Sequence, residues 1–181
     1  MTRIQPVDPS TAPERAKTLL DGVQKALGMT PKMMKTMAQS PAVLEGDLSL
    51  NKALSGGVLG AKFREQLALT VGQTNGCDYC LSAHSALGKM AGLTPDQISA
   101  ARGASSADAK TQTGLQFARE VVTQRGQISD ASLATVRAAG FSDAEIAEIL
   151  AHVALNVFTN YFNLVAGTEV DFPLVRAAQA A

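Results

Sequence analysis

A chain of 181 residues, 46% of them apolar, can bury a hydrophobic core and suits one domain spanning residues 1–181. Sixteen basic and sixteen acidic residues cancel, which removes the broad cationic face expected of a nucleic-acid binder. The first residues lack the apolar stretch of a secretory signal, and no uncharged apolar run approaches the ~20 residues of a membrane span, so the expectation is a soluble, cytoplasmic protein.

Helix signals recur along the chain. Thr11 to Glu14 reads as a capping box, with Ala16, Leu19, Leu20, Val23 and Leu27 following at helical spacing and Gly28 as the stop. Thr30-Pro31 and Ser40-Pro41 each set a capping side chain before a proline at the first helical position. Thr94 with Gln97 and Ser142 with Glu145 repeat the box, and Ser105 with Asp108 is a weaker version. From Ser142 onward Ile146, Ile149, Leu150, Val153 and Val157 share one face. No alternating strand pattern occurs between the glycine turns, so the chain reads as an all-α, single-domain helical bundle of about eight helices.

The informative segment is a helical hairpin over residues 62–92. Its first arm carries no charge after Glu65, the Thr74-Asn75-Gly76 turn follows, and the second arm starts at about Cys77 and stops at Gly92. Cys77, Cys80 and His84 stand at i, i+3 and i+7 on one face of that arm. His84 can touch Cys80, while Cys77 lies about 10 Å further along the axis. With antiparallel arms, Glu65 faces about residue 86, half a turn from His84. The order Glu65, His84, Cys80, Cys77 therefore supplies two thiols with a base.

The spacing of Glu65, Cys77-x-x-Cys80 and His84 resembles the alkylhydroperoxidase D-like branch of the carboxymuconolactone decarboxylase superfamily. "NGCDYCLSAH" and the later "NVFTNYFNLVAGTEVDFP" look like its peroxidase-related members, and the likeness runs from about residue 13 to 175. The resemblance implies an all-α fold assembled as a homo-trimer or homo-hexamer. It implies a thiol peroxidase or disulfide reductase that acts on a hydroperoxide or disulfide substrate. An external dithiol recycles such an enzyme, and no organic cofactor is bound. It also implies that Cys80 attacks the peroxide, Cys77 resolves, and Glu65 and His84 relay the proton. One departure is Tyr79, where related proteins carry a histidine. A phenol with a pKa near 10 is a poor base at neutral pH, which leaves proton handling to Glu65 and His84.

Two further readings of the cysteines stay open. Cys77, Cys80, His84 and Glu65 could hold zinc, or the pair could be a structural crosslink in a binding protein without redox activity. A decarboxylase-like activity from the wider superfamily would leave the CxxC without a task. Helix position favours a thiolate at Cys77 by about half a pKa unit, whereas a contacting base gives roughly a hundredfold or more, so Cys80 is the expected nucleophile. An exposed Cys77 would then meet the reductant. His152, four residues after Glu148, reads as half of a solvated or interface pair. With Asn156, Asn160 and Asn163 it forms a polar stripe, a lining for the site or a subunit contact. The methionines of residues 31–37 read as core or interface filler, and Tyr79 as packing or a shaper of access.

Overall fold

The computed structural model describes residues 1–178, and those residues hold nine α-helices and no strand. In chain order they are α1 Glu14–Leu27, α2 Lys32–Met37, α3 Pro41–Ser55, α4 Ala61–Thr74, α5 Asp78–Met90, α6 Pro95–Arg102, α7 Ala109–Thr123, α8 Asp130–Ala138 and α9 Asp143–Ala166. The all-α expectation holds.

α4 is the hub, packed against α5, α6, α7 and α9. Its residues Gln66 to Gly72 are all buried. Leu67, Leu69 and Val71 join Leu81, Ile98, Leu115, Phe117, Ile146 and Ile149 in the main core. A smaller cluster ties α1, α2 and α3 together through Leu20, Met37 and Leu44, with Phe162 of α9 against it.

The capping boxes at Thr94/Gln97 and Ser142/Glu145 form as read, each with both reciprocal hydrogen bonds. Asp108, rather than Ser105, caps α7. The box at Thr11 does not form: α1 starts after Pro13, and the Thr11 hydroxyl donates to the Asp8 carbonyl. Asp8 already gathers the Ser10 amide and hydroxyl into a local turn, which ends before the helix begins. Thr30 and Ser40 also make no capping bond. The first two amides of α2 are taken instead by distant partners, Lys32 N–H by the Asp171 carboxylate at 2.6 Å and Met33 N–H by the Tyr79 hydroxyl at 3.2 Å.

His152 is the larger correction. It is buried on α9, not paired in solvent with Glu148. The Glu148 carboxylate accepts the Val58 and Leu59 amides at 2.7 and 3.0 Å, which fixes the approach to α4. Of the predicted apolar face of α9, Leu150 is exposed.

Candidate active site at the helical hairpin

Gly76, at φ 69°, reverses the chain between α4 and α5. Cys77 N–H donates to the Gly72 carbonyl at 2.9 Å, so the second arm starts in register with the end of the first. Cys77 then occupies the N-cap of α5, and its sulfur accepts the Cys80 amide at 3.2 Å. A sulfur stands where Ser or Asp normally caps. When reduced, that sulfur has both a backbone donor and the positive end of a helix to favour negative charge.

Cys77 and Cys80 are joined as a disulfide, with Cα atoms 5.3 Å apart, inside the usual bridging span. Among the described residues no group of three or more His, Cys, Asp and Glu side chains converges as a metal-ligand set. One turn after Cys80, His84 faces α4, and its Nδ1 lies 2.8 Å from Glu65 Oε2. The side chains are 24% and 21% exposed, so the pair borders solvent. The residues of α5 beside Glu65 are thus His84 and Gly88, where a Cβ would lie 3.8 Å from that of Glu65. With its proton on Nδ1 the ring donates to the carboxylate, and Nε2 is left to accept or deliver a second proton. Among the described residues no hydrogen bond joins His84 to either sulfur of the disulfide.

Cys80 has a different neighbour. Asn163 Nδ2 lies 3.4 Å from Cys80 Sγ and 3.0 Å from Met33 Sδ. Sequence periodicity had put Asn163 in a polar stripe without linking it to Cys80. The link is long-range, 83 residues along the chain, and only the packing of α5 on α9 supplies it. His152, Asn156, Asn160 and Asn163 are all buried at i, i+4, i+8 and i+11. Burial pushes His152 below its ordinary pKa of 6.5, and the Arg64 charge acts in the same direction.

Neither sulfur is open to solvent: Cys77 is 1% exposed and Cys80 3%. The expectation of an exposed Cys77 is therefore overturned. The cover is the segment 168–178, which returns across the hairpin after α9. Val170 and Phe172, with Met33 of α2, pack on the cysteines, and the Phe172 ring meets Tyr79 edge-on at 5.8 Å. Further along, Val175 N–H donates to Ser82 Oγ at 2.9 Å, Ala177 N–H donates to Asp78 Oδ1 at 2.8 Å, and Arg102 donates to the Arg176 carbonyl at 2.7 Å. Tyr79 is part of this packing. Burial drives its phenol well above the ordinary value, so it is a hydrogen-bond partner and not a base.

Residues 41–124, which hold the hairpin and the dithiol, match the family model described as the carboxymuconolactone decarboxylase family. The hairpin and the dithiol thus lie in the part of the chain that is similar to this family. Solved structures share the fold across nearly the whole chain. An uncharacterized peroxidase-related protein from Ralstonia eutropha JMP134, described as an alkylhydroperoxidase AhpD core, has 22% identity and a TM-score of 0.83, covering 94% of this chain and 92% of that one. An uncharacterized peroxidase-related protein from Silicibacter sp. TM1040 has 23% identity and a TM-score of 0.79, covering 92% and 91%. The debrominase Bmp8 in complex with 2,3,4-tribromopyrrole has 20% identity and a TM-score of 0.80, covering 94% and 92%. No curated protein sequence matches this chain. The family match over residues 41–124 and the CxxC pair together fit a redox role.

Proposed function

We propose that the protein is a thiol-dependent peroxidase and disulfide reductase of the peroxidase-related subgroup, one domain over residues 1–181, working through Cys80, Cys77, His84 and Glu65. The observation that carries this reading is the pairing of a joined Cys77–Cys80 with a hydrogen-bonded His84–Glu65 one turn away.

In the reduced enzyme Glu65 draws the Cys80 proton through His84 or water. The Cys80 thiolate attacks the terminal oxygen of the hydroperoxide, so an S–O bond forms and the O–O bond breaks. His84 returns the proton to the departing alkoxide, giving an alcohol and a Cys80 sulfenic acid. The Cys77 thiol then attacks that sulfur, water leaves, and the disulfide described above results. An external dithiol reduces it by exchange and is itself oxidised. No bound organic cofactor is needed, because both electrons come from the thiols.

The setting of this chemistry is cytoplasmic, where a dithiol reductant is at hand. α9 is long and apolar enough to cross a membrane by length and composition, yet its polar stripe packs inward and half of its most apolar window is buried. Its other half supports a homo-trimer or homo-hexamer. Leu150, Phe158, Tyr161, Leu164 and Val165 are exposed, and a cavity of about 310 Å³ between α3 and α9 is lined by Val43, Leu50, Leu155 and Phe158. Burial by further copies of the chain would cover this face.

The test is hydroperoxide consumption with several dithiol donors, set beside the double variant Cys77→Ser, Cys80→Ser. Cys80→Ser should abolish turnover, and Cys77→Ser should react once and leave a trappable sulfenic acid. Sulfenic acid on Cys77 instead would reverse the assigned roles. Turnover by the double variant would end the reading. Because the debrominase Bmp8 shares the fold and the dithiol here has apolar walls, bromide release from a bromopyrrole belongs in the same assay.

A further inference from the structure

The polar face of α9 offers more than a contact to one sulfur. Asn163 spends its Nδ2 on Cys80 Sγ and Met33 Sδ, and its buried Oδ1 has no partner among the described residues. One turn earlier Asn160 is the mirror case. Its Oδ1 accepts from Asn75 Nδ2 at 2.9 Å, and its buried Nδ2 has no partner among the described residues. The two residues are 0% and 4% exposed, Asn160 and Asn163 respectively, so neither free atom can turn to bulk solvent. At i and i+3 they lie on the same side of the helix.

Buried polar atoms are normally satisfied, and two that are not, one of them on the residue that hydrogen-bonds Cys80, ask for a ligand. One free acceptor and one free donor, a helical turn apart, complement a group that is itself both donor and acceptor. A hydroperoxide is such a group: its terminal O–H donates, and its inner oxygen accepts. The apolar side chains of Met33, Val170 and Phe172 pack on the cluster that holds Cys80 and suit an organic substituent. Asn75, at the hairpin turn, fixes the Asn160 amide through its Oδ1 without help from the substrate.

The geometry points to Asn163 and Asn160 as an oxygen-binding amide pair, with Asn163 hydrogen-bonding Cys80 and the pair together seating a hydroperoxide against it. In this arrangement Asn163 Nδ2–H donates to the Cys80 thiolate and Asn163 Oδ1 accepts the terminal O–H. As sulfur bonds to the terminal oxygen and the O–O bond breaks, charge develops on the inner oxygen. Asn160 Nδ2–H donates to that oxygen until His84 protonates it. Asn163 is thus a catalytic residue, and Asn160 a second one on the leaving side. The substrate half of this proposal rests on the peroxidase reading, whereas the thiolate half does not.

The experiment uses the full chain with Cys77→Ser, so that Cys80 titrates alone. The Cys80 thiol is followed by thiolate absorbance and by iodoacetamide alkylation against pH, and peroxide reactivity by single-turnover oxidation with cumene hydroperoxide. Asn163→Leu should raise the Cys80 thiol pKa by about one pH unit, the size expected for one hydrogen bond to a charged group. Asn160→Leu should leave alkylation unchanged and slow oxidation by on the order of tenfold to a hundredfold, because alkylation needs no oxygen recognition. Asn163→Ser, which keeps a donor at reduced size, should restore part of the titration and stands in if the leucine variant does not fold. An unmoved thiol pKa in a folded Asn163 variant overturns the thiolate contact. Equal loss of alkylation and oxidation in Asn160→Leu overturns oxygen binding. A wild-type protein inert to peroxide, with a shifted pKa in the Asn163 variant, overturns the peroxidase reading and the seating of a hydroperoxide while upholding the thiolate contact.

Discussion

Asp47 sits on α3, 5% exposed, with Oδ1 buried and unpartnered. Burial alone raises its pKa from 3.8 to about 6. Below the ordinary value the group is neutral in both the folded and the unfolded chain and has no effect. Between 3.8 and about 6 the folded chain holds a proton that the unfolded chain has released, so stability falls as pH rises. Above that window the displacement corresponds to about 3 kcal/mol lost. Asp47→Asn should therefore raise the thermal midpoint at pH 8 and leave it nearly unchanged at pH 3.5. A decrease at pH 8 would mean that a neighbouring subunit binds the carboxylate. At the candidate site, Glu65→Gln keeps an oxygen for His84 but cannot take up a proton. Disulfide formation in stopped flow should slow by on the order of a hundredfold, with helicity by circular dichroism intact. An unchanged rate and pH profile would reduce Glu65 to a tether for His84.

At the scale of elements, much of the hairpin was legible because its signals are local. Caps, Gly turns and i, i+4 spacing act within a few residues, and they set α4, the turn and α5 close to where they stand. The meeting of Glu65 and His84 was also legible, since two antiparallel arms about a known turn have one register, and His84 and Gly88 flank the expected position near residue 86. What was not legible depends on contacts far apart in sequence. Asp171 and Tyr79 replace Thr30 at the start of α2, and Glu148 leaves His152 to hold the Val58 and Leu59 amides. Asn163 reaches Cys80 across 83 residues. The polar stripe on α9 was visible as spacing, but the direction it faces follows only from packing. Gly114 on α7 is a similar case. A Cβ there would lie 2.6 Å from the ring ends of both Phe63 and Phe141. Gly114→Ala gains about 1 kcal/mol of helix propensity but must displace two packed rings, at about 1–3 kcal/mol. The net expectation is a lower urea midpoint. A higher one would show that the rings separate freely.

For the whole molecule, the exposed half of α9 makes self-association the testable feature. Light scattering at micromolar concentration should return a trimer or hexamer, and Phe158→Asp should lower that mass. A monomeric wild-type protein would remove the assembly from the proposed function. The cover over the dithiol has a separate consequence, and it is kinetic. In the proposed cycle a bulky dithiol cannot attack a sulfur that is 1% or 3% exposed, so recycling would wait for the segment 168–178 to lift. The molecule's own breathing then sets a ceiling on turnover: the reduction rate should climb with reductant concentration and level off, where a simple encounter would keep climbing. Ser82→Ala removes the hydroxyl that receives Val175 N–H, and it should lift that plateau while leaving the initial slope of peroxide oxidation alone. A strictly linear dependence would mean that the segment moves faster than any reductant arrives. With a plateau, the pace of the proposed cycle is set by residues 168–178 and read out at Cys77.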